Sequence, residues 1–204
     1  MLTIEAQVEA EIEIKKSKFL ATIARASSED EARAIVAAAR SANPAARHHC
    51  SAFVIGDRLR IERSSDDGEP SGTAGAPMLE VLRGHDLTNV AAVVTRYFGG
   101  TKLGTGGLAR AYAGAVSEAL LAARLMRREE RELIGVELDH AEVGRIESEL
   151  RGRGIDVISI DYAELALLTV AARNADEVDG VLASLTSGTA RPERIGTFFR
   201  EVPR

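Results

Sequence analysis

The chain has 204 residues, 45% of them hydrophobic, enough to bury a substantial core as one large domain or two small ones. Its formal net charge of -5 excludes an overall basic nucleic-acid binder, and its one cysteine, Cys50, excludes an intramolecular disulfide and a multi-cysteine zinc site. The start has no basic region followed by an apolar core and no apolar span reaches membrane length, so a soluble cytoplasmic protein with no membrane partner is expected.

In chain order, Ile4, Ala6, Val8, Ala10, Ile12 and Ile14 alternate with Glu5, Gln7, Glu9, Glu11 and Glu13, a period of two that predicts one half-buried strand with a wet acidic face. Lys15, Lys16, Ser17 and Lys18 turn into a second strand carrying Phe19, Ala21 and Ile23. These lysines are secondary phosphate candidates, although short charge runs are commonly solvated turns. Ser27 or Ser28 caps a helix through Asp30 or Glu31, with Ala32, Ile35, Val36 and Ala39 on one face, and Asn43 with Pro44 ends it. In the strand His48 to Ile55, His48 and Cys50 share a face, but two ligands are too few for a closed zinc site.

Leu59 and Ile61 lead into SSDDGEPSGTAGAP, Ser64 to Pro77. Here Asp66, Asp67 and Glu69 stand among Gly68, Pro70, Gly72 and Gly75 in a shaped loop. Such carboxylates can hold Mg²⁺, serve as a general base, or pin the loop by salt bridges to Arg96 or Lys102. A helix from Pro77 to Gly84 follows, and His85 with Asp86 reads as structural. Val90 to Val94 is a continuous apolar run, as expected of a strand buried on both faces. Between it and a helix bearing Leu108, Tyr112, Ala115, Val116 and Ala119 lies RYFGGTKLGTGGLARAY, Arg96 to Tyr112. Gly99, Gly100, Gly104, Gly106 and Gly107 strip side chains from a loop that also holds Thr101, Lys102 and Thr105. Backbone N–H groups in such a loop can approach an anion at a helix N-terminus, or the glycines can serve only a turn that needs positive φ. The pattern is neither a Walker A loop, since Lys102 precedes the second glycine group, nor a spaced dinucleotide fingerprint.

Arg124 to Glu132 reads as a charged hinge, with a boundary near residue 128 dividing 1–128 from 129–204. The tail is then strand, helix, strand, strand, helix, strand: Leu133 to Leu138, a helix capped by Asp139, Ile155 to Ile160, Leu165 to Ala171, a helix begun by Asn174 and stopped by Gly188, and Ile195 to Val202. That order is the split βαβ, or ferredoxin-like, arrangement, without an aromatic RNA-binding strand signature. Residues 1–125 hold 15 basic and 15 acidic side chains, so the acidic excess lies in the tail and any basic patch belongs to the first half.

RYFGGTKLGTGGLARAY, together with SSDDGEPSGTAGAPMLEVL, KSKFLA and RHHCSAFVIG, resembles the IMPACT/YigZ family over roughly residues 1 to 125, and the remainder is similar to the tail domain of its bacterial members. The resemblance implies an α+β fold: a left-handed βαβ domain like those of certain ribosomal proteins and elongation factors, followed by a ferredoxin-like domain. It also implies translation regulation, which eukaryotic relatives exert on an amino-acid-sensing kinase that bacteria lack. The expectation is a non-enzymatic module binding RNA, the ribosome or translation factors, with no cofactor. Phosphate would meet Arg96, the Gly99 to Gly107 backbone, Lys102 and Arg110, with Tyr97 or Phe98 offering a stacking face. The alternative is a Mg²⁺-dependent enzyme acting on a phosphorylated small molecule or nucleotide through the same glycine loop and Asp66, Asp67 or Glu69. A protein-binding regulator would instead expose an apolar patch.

Overall fold

In the computed structural model, which describes residues 1–186 and 188–204, the alternating N-terminal run is two strands rather than one. These are β1 (Leu2–Ile4) and β2 (Val8–Ile14). Alternation alone cannot reveal the break at residues 5–7, after which Ile4 stays fully buried while β2 is only half-buried. Lys15 and Lys16, with φ of 48° and 64°, turn β2 into β3 (Ser17–Arg25), pairing Val8 with Ile23 through Ile14 with Ser17. Helix α1 (Glu29–Ala42) starts with a side-chain cap: Ser28 Oγ accepts the Glu31 N–H at 3.2 Å, and the Glu31 carboxylate accepts the N–H of Ser27, one residue before the cap, at 2.7 Å. Then follow β4 (His48–Ile55), β5 (Ile61–Ser65), α2 (Gly75–Gly84), β6 (Val90–Tyr97) and α3 (Thr105–Leu121).

The strands of this part form an antiparallel sheet in the order β2-β3-β6-β4-β5. β3 and β4 both oppose β6, which lies between them, so they run in the same direction and α1 makes the βαβ crossover that the resemblance implies. On one face Phe19, Ala52, Val54, Ala92 and Val94 pack with Met78, Leu82, Tyr112, Ala115 and Val116. Alternate residues supply the other face, where Phe53, Ile55 and Ala91 meet Ala32 of α1. Each large apolar side chain fully buried in this way contributes about 1.5–3 kcal/mol. Phe19 and Tyr112 meet edge-on, 5.2 Å between ring centroids.

The segment Arg124 to Glu132, read from its charges as a hinge, has regular secondary structure. Strand β7 (Leu125–Leu138) runs through it without interruption. Its first residues pair with β1, Leu2 opposite Arg127 and Ile4 opposite Leu125. Its charges have partners: Arg131 meets Glu129 at 2.6 Å, and Arg128 pairs with Glu201 while lying over the Phe199 ring. Paired cations with half-buried stems are compatible with a strand.

The chain divides into two units, Met1–Arg127 with Val202–Arg204, and Arg128–Glu201. In the second, β7 continues to α4 (His140–Gly152), β8 (Asp156–Tyr162), β9 (Ala166–Ala172), α5 (Ala175–Thr186) and β10 (Glu193–Pro203). The order β10-β7-β9-β8 gives the ferredoxin-like arrangement, and the whole is a two-domain α+β fold. Ile134, Val136, Leu168 and Val170 pack against Val143, Ile146, Leu150, Val178 and Leu182. Asn174 Oδ1 accepts the Glu177 N–H at 2.9 Å, whereas Asp139 occupies the cap position of α4 without a side-chain capping bond. Leu165, Leu167 and Ile195 stay 38–52% exposed. No helix among the described residues is long and apolar enough to cross a membrane.

Candidate nucleic-acid interface

Strand β6 delivers the chain from the centre of the sheet to Tyr97, and residues 98–104 carry it to α3. Gly99 is needed because the turn between β2 and β3 lies against it: a Cβ there would stand 2.0 Å from the Lys16 carbonyl carbon. The Gly99 N–H donates to Ser17 Oγ at 3.1 Å, and Ser17 is fully buried. The KSKFLA and RYFGG strings therefore meet in space, bringing the exposed Lys15 and Lys16 turn to the glycine loop. Lys18 instead pairs with Glu11 at 2.9 Å.

Gly104, with φ of 71°, is the N-cap of α3 and supplies no capping side chain. Thr105, Gly106 and Gly107 form the first helical turn, so the flexible part of the loop is shorter than the glycine pattern suggests. That turn contains no acidic residue, whereas α1 opens with Glu29, Asp30 and Glu31 and α5 with Asp176 and Glu177. The positive end of the helix macrodipole is thus unopposed by side chains of its own first turn. Thr101, Lys102, Thr105, Gly106 and Arg110 are exposed, and Arg110 Nη1 lies 3.5 Å from where a Gly106 Cβ would be.

Arg96 has a different environment. It is 6% exposed, and its Nη1 donates to Glu69 Oε1 at 2.6 Å. Glu69 Oε1 also accepts the Tyr112 hydroxyl at 2.8 Å. Arg96 is therefore a buried counter-ion joining the two loops rather than a surface charge, because the Glu69 carboxylate reaches it inside the fold.

The other two acids are also committed internally. Asp66 accepts the N–H groups of Ala74 and Gly75 through Oδ1, at 2.9 and 2.8 Å, and that of Gly72 through Oδ2 at 2.8 Å. It supplies the start of α2 with the acceptor that the cap residue Ala74 lacks. Burial alone would raise the Asp66 carboxyl, but the N–H donors of Gly72, Gly75 and Ala74 outweigh it and hold the group below the usual aspartate value. Asp67, at φ 41°, accepts the His49 N–H at 2.7 Å and both its oxygens meet Arg40 Nη2 at 2.9 Å. Burial opposes these bonds and they prevail, so Asp67 is lowered as well. The three carboxylates diverge to different partners, and no group of three or more His, Cys, Asp or Glu among the described residues is placed to hold a metal ion. Of these partners, neither Arg40 nor Tyr112 carries any sequence signal linking it to an acid 27 or 43 residues away.

The His48 and Cys50 positions follow the same pattern. Burial pushes the Cys50 thiol up to about 12, and it donates to the Asp66 carbonyl at 3.0 Å, so it remains a protonated core group. His48 Nδ1 lies 2.9 Å from the Asp67 carbonyl oxygen, and His49 Nδ1 3.0 Å from Thr95 Oγ1. Burial first, and then the nearby Arg40, lower His49 and favour its neutral form.

The Impact N-terminal domain model matches residues 15–120, and a domain of unknown function (DUF1949) matches residues 136–189. The chain is 44% identical over 162 residues to the IMPACT family member YvyE of Bacillus subtilis, covering 79% of this chain and 75% of that protein. It is 39% identical over 181 residues to the IMPACT family member YigZ of Escherichia coli, covering 87% and 89%. A crystal structure described as that of a hypothetical protein superposes with a TM-score of 0.73 at 38% identity, over 95% of this chain and 96% of the other.

Proposed function

The chain belongs to the IMPACT family, and from that premise we propose that it is a non-enzymatic, translation-associated module that binds RNA, or an RNA surface of the ribosome, through phosphate contacts. The observation that carries this reading is the side-chain-uncapped N-terminus of α3, opened by Gly104, Gly106 and Gly107 and flanked by the exposed Lys102 and Arg110. Lys15 and Lys16 extend the same basic edge across Gly99. Arg96 serves it indirectly, by holding the base of the loop to Glu69. A net charge of -5 is compatible with this reading because Lys102, Arg110, Lys15 and Lys16 make a local basic edge.

Co-sedimentation of wild-type and Lys102→Ala protein with ribosomes and total cellular RNA across a salt series tests the proposal. Salt-sensitive association that weakens in the variant is expected; no association at low salt would overturn it. A second reading, binding of a partner protein, draws on the exposed Leu165, Leu167 and Ile195 of the ferredoxin-like unit. Association with a translation factor that survives nuclease treatment and is lost in Leu167→Lys would favour it.

A further inference from the structure

Beside the glycine loop lies a recess of about 400 Å³, within the size range of small-ligand sites. Arg47, His48, Arg96, Tyr97 and Phe98 line it. Phe98 is 58% exposed, unusual for a phenylalanine that follows a buried strand. The Arg96 guanidinium lies 5.5 Å from its ring centroid and 5.4 Å from that of Phe19, so a buried cation backs one side of the exposed ring. Arg96 lines the recess, and its buried Nε has no hydrogen-bond partner.

The remaining walls are also fixed by the fold. The Tyr97 hydroxyl donates to Asn43 Oδ1 at 2.9 Å. Pairing of His48 Nδ1 with the Asp67 carbonyl oxygen makes Nδ1 the donor, and in the tautomer that this bond selects Nε2 is an acceptor. Arg47 is exposed, and its guanidinium makes no ion pair among the described residues. An exposed aromatic face backed by a cation, a cation with no ion pair among the described residues, one acceptor and the adjoining glycine loop together match the demands of a nucleotide more closely than those of an apolar side chain.

We propose that this recess takes one unstacked nucleobase of a single-stranded RNA, stacked on the open face of Phe98, with flanking phosphates at Arg47 and at the Lys102 loop. This rests on the phosphate-binding reading above and adds the base to it. The base supplies π surface to Phe98, and an exocyclic amino group on its edge can donate to His48 Nε2. Because every base has a stacking face, the site tolerates sequence variation.

The test compares a short labelled single-stranded RNA of mixed sequence with an abasic ribose-phosphate oligomer of equal length and charge, by fluorescence anisotropy against the full chain at fixed salt. Wild type should bind the base-bearing strand at least ~10-fold more tightly, the loss expected for one aromatic stacking contact. Phe98→Leu, which keeps an apolar cover over Arg96, should erase that preference while retaining the weaker abasic binding, and Phe98→Tyr should retain the preference. Thermal unfolding of each variant confirms an intact fold. Equal wild-type affinity for both strands would overturn the base site while leaving phosphate binding standing, as would a preference that survives in Phe98→Leu. Binding of neither strand at low salt would remove the phosphate reading and the base site with it.

Discussion

The two loops that hold most of the chain's unusual residues look equally chemical in sequence and behave oppositely in structure. In residues 66–75 the three carboxylates are each bound by groups of the protein itself: Asp66 by three N–H groups at the start of α2, Asp67 by His49 and Arg40, and Glu69 by Arg96 and Tyr112. In residues 98–107 the N-cap contributes no side chain, the first helical turn holds no acid, and Lys102 stands exposed. The acid loop is an internal brace. The glycine loop is what that brace supports, since Glu69 reaches across to Arg96 at its base. A polar cluster whose hydrogen-bonding capacity is filled from within has little left for a ligand, so satisfaction distinguishes the two loops better than composition does.

The sharpest way to break the comparison is to remove the brace. Glu69→Ala leaves Arg96 buried without its counter-charge and Tyr112 without its acceptor, and should cost about 3–5 kcal/mol in denaturant unfolding. Arg96→Met in the same background should recover part of that loss, because the unpaired cation goes with it. Asp66→Ala strips three N–H groups of their partner and should cost about 1–3 kcal/mol, with little change in RNA affinity.

Acid sharpens the same point. Asp66 and Asp67 are both lowered in the folded state, so their stabilisation is fully present above the ordinary aspartate value, ~3.9, and is lost as pH falls through the lowered values. Unfolding free energy measured from pH 6 downward should therefore fall less steeply below about pH 4 in Asp66→Asn than in wild type. Lys102→Ala has the smallest expected effect on stability, within about 0.5 kcal/mol, yet it should lower the magnitude of the salt slope of RNA binding by about 0.7.

Much of this division is legible in the sequence. The buried run Val90 to Val94, the capped start of α1 and the strand and helix order of the tail follow from period and cap chemistry. Three features are not. The break after Ile4 interrupts an alternation that continues on both sides of it. The charged stretch at Arg128 to Glu132 is a strand, and partners such as Glu201 lie too far along the chain for a local pattern to show them. The burial of Arg96 depends on a carboxylate 27 residues earlier, and no local pattern distinguishes an arginine paired inside the fold from one aimed at a phosphate. Gly99 and Gly106 look alike as letters, but the first is compelled by the backbone of Lys16 while the second, in an ordinary helical turn, is not compelled by any backbone neighbour.

That last contrast gives the most direct test. Gly106 has no positive φ, and only the end of the flexible Arg110 side chain lies near a Cβ placed there, so Gly106→Ala should stabilise the fold by about 0.4–1 kcal/mol. If the first turn of α3 is open because a phosphate approaches its backbone, the same substitution should weaken RNA binding by roughly tenfold, the loss of one hydrogen bond to a charged group. Stability and affinity measured together on this one variant should therefore move in opposite directions. A protein that becomes more stable and binds RNA as well as before would contradict the phosphate site.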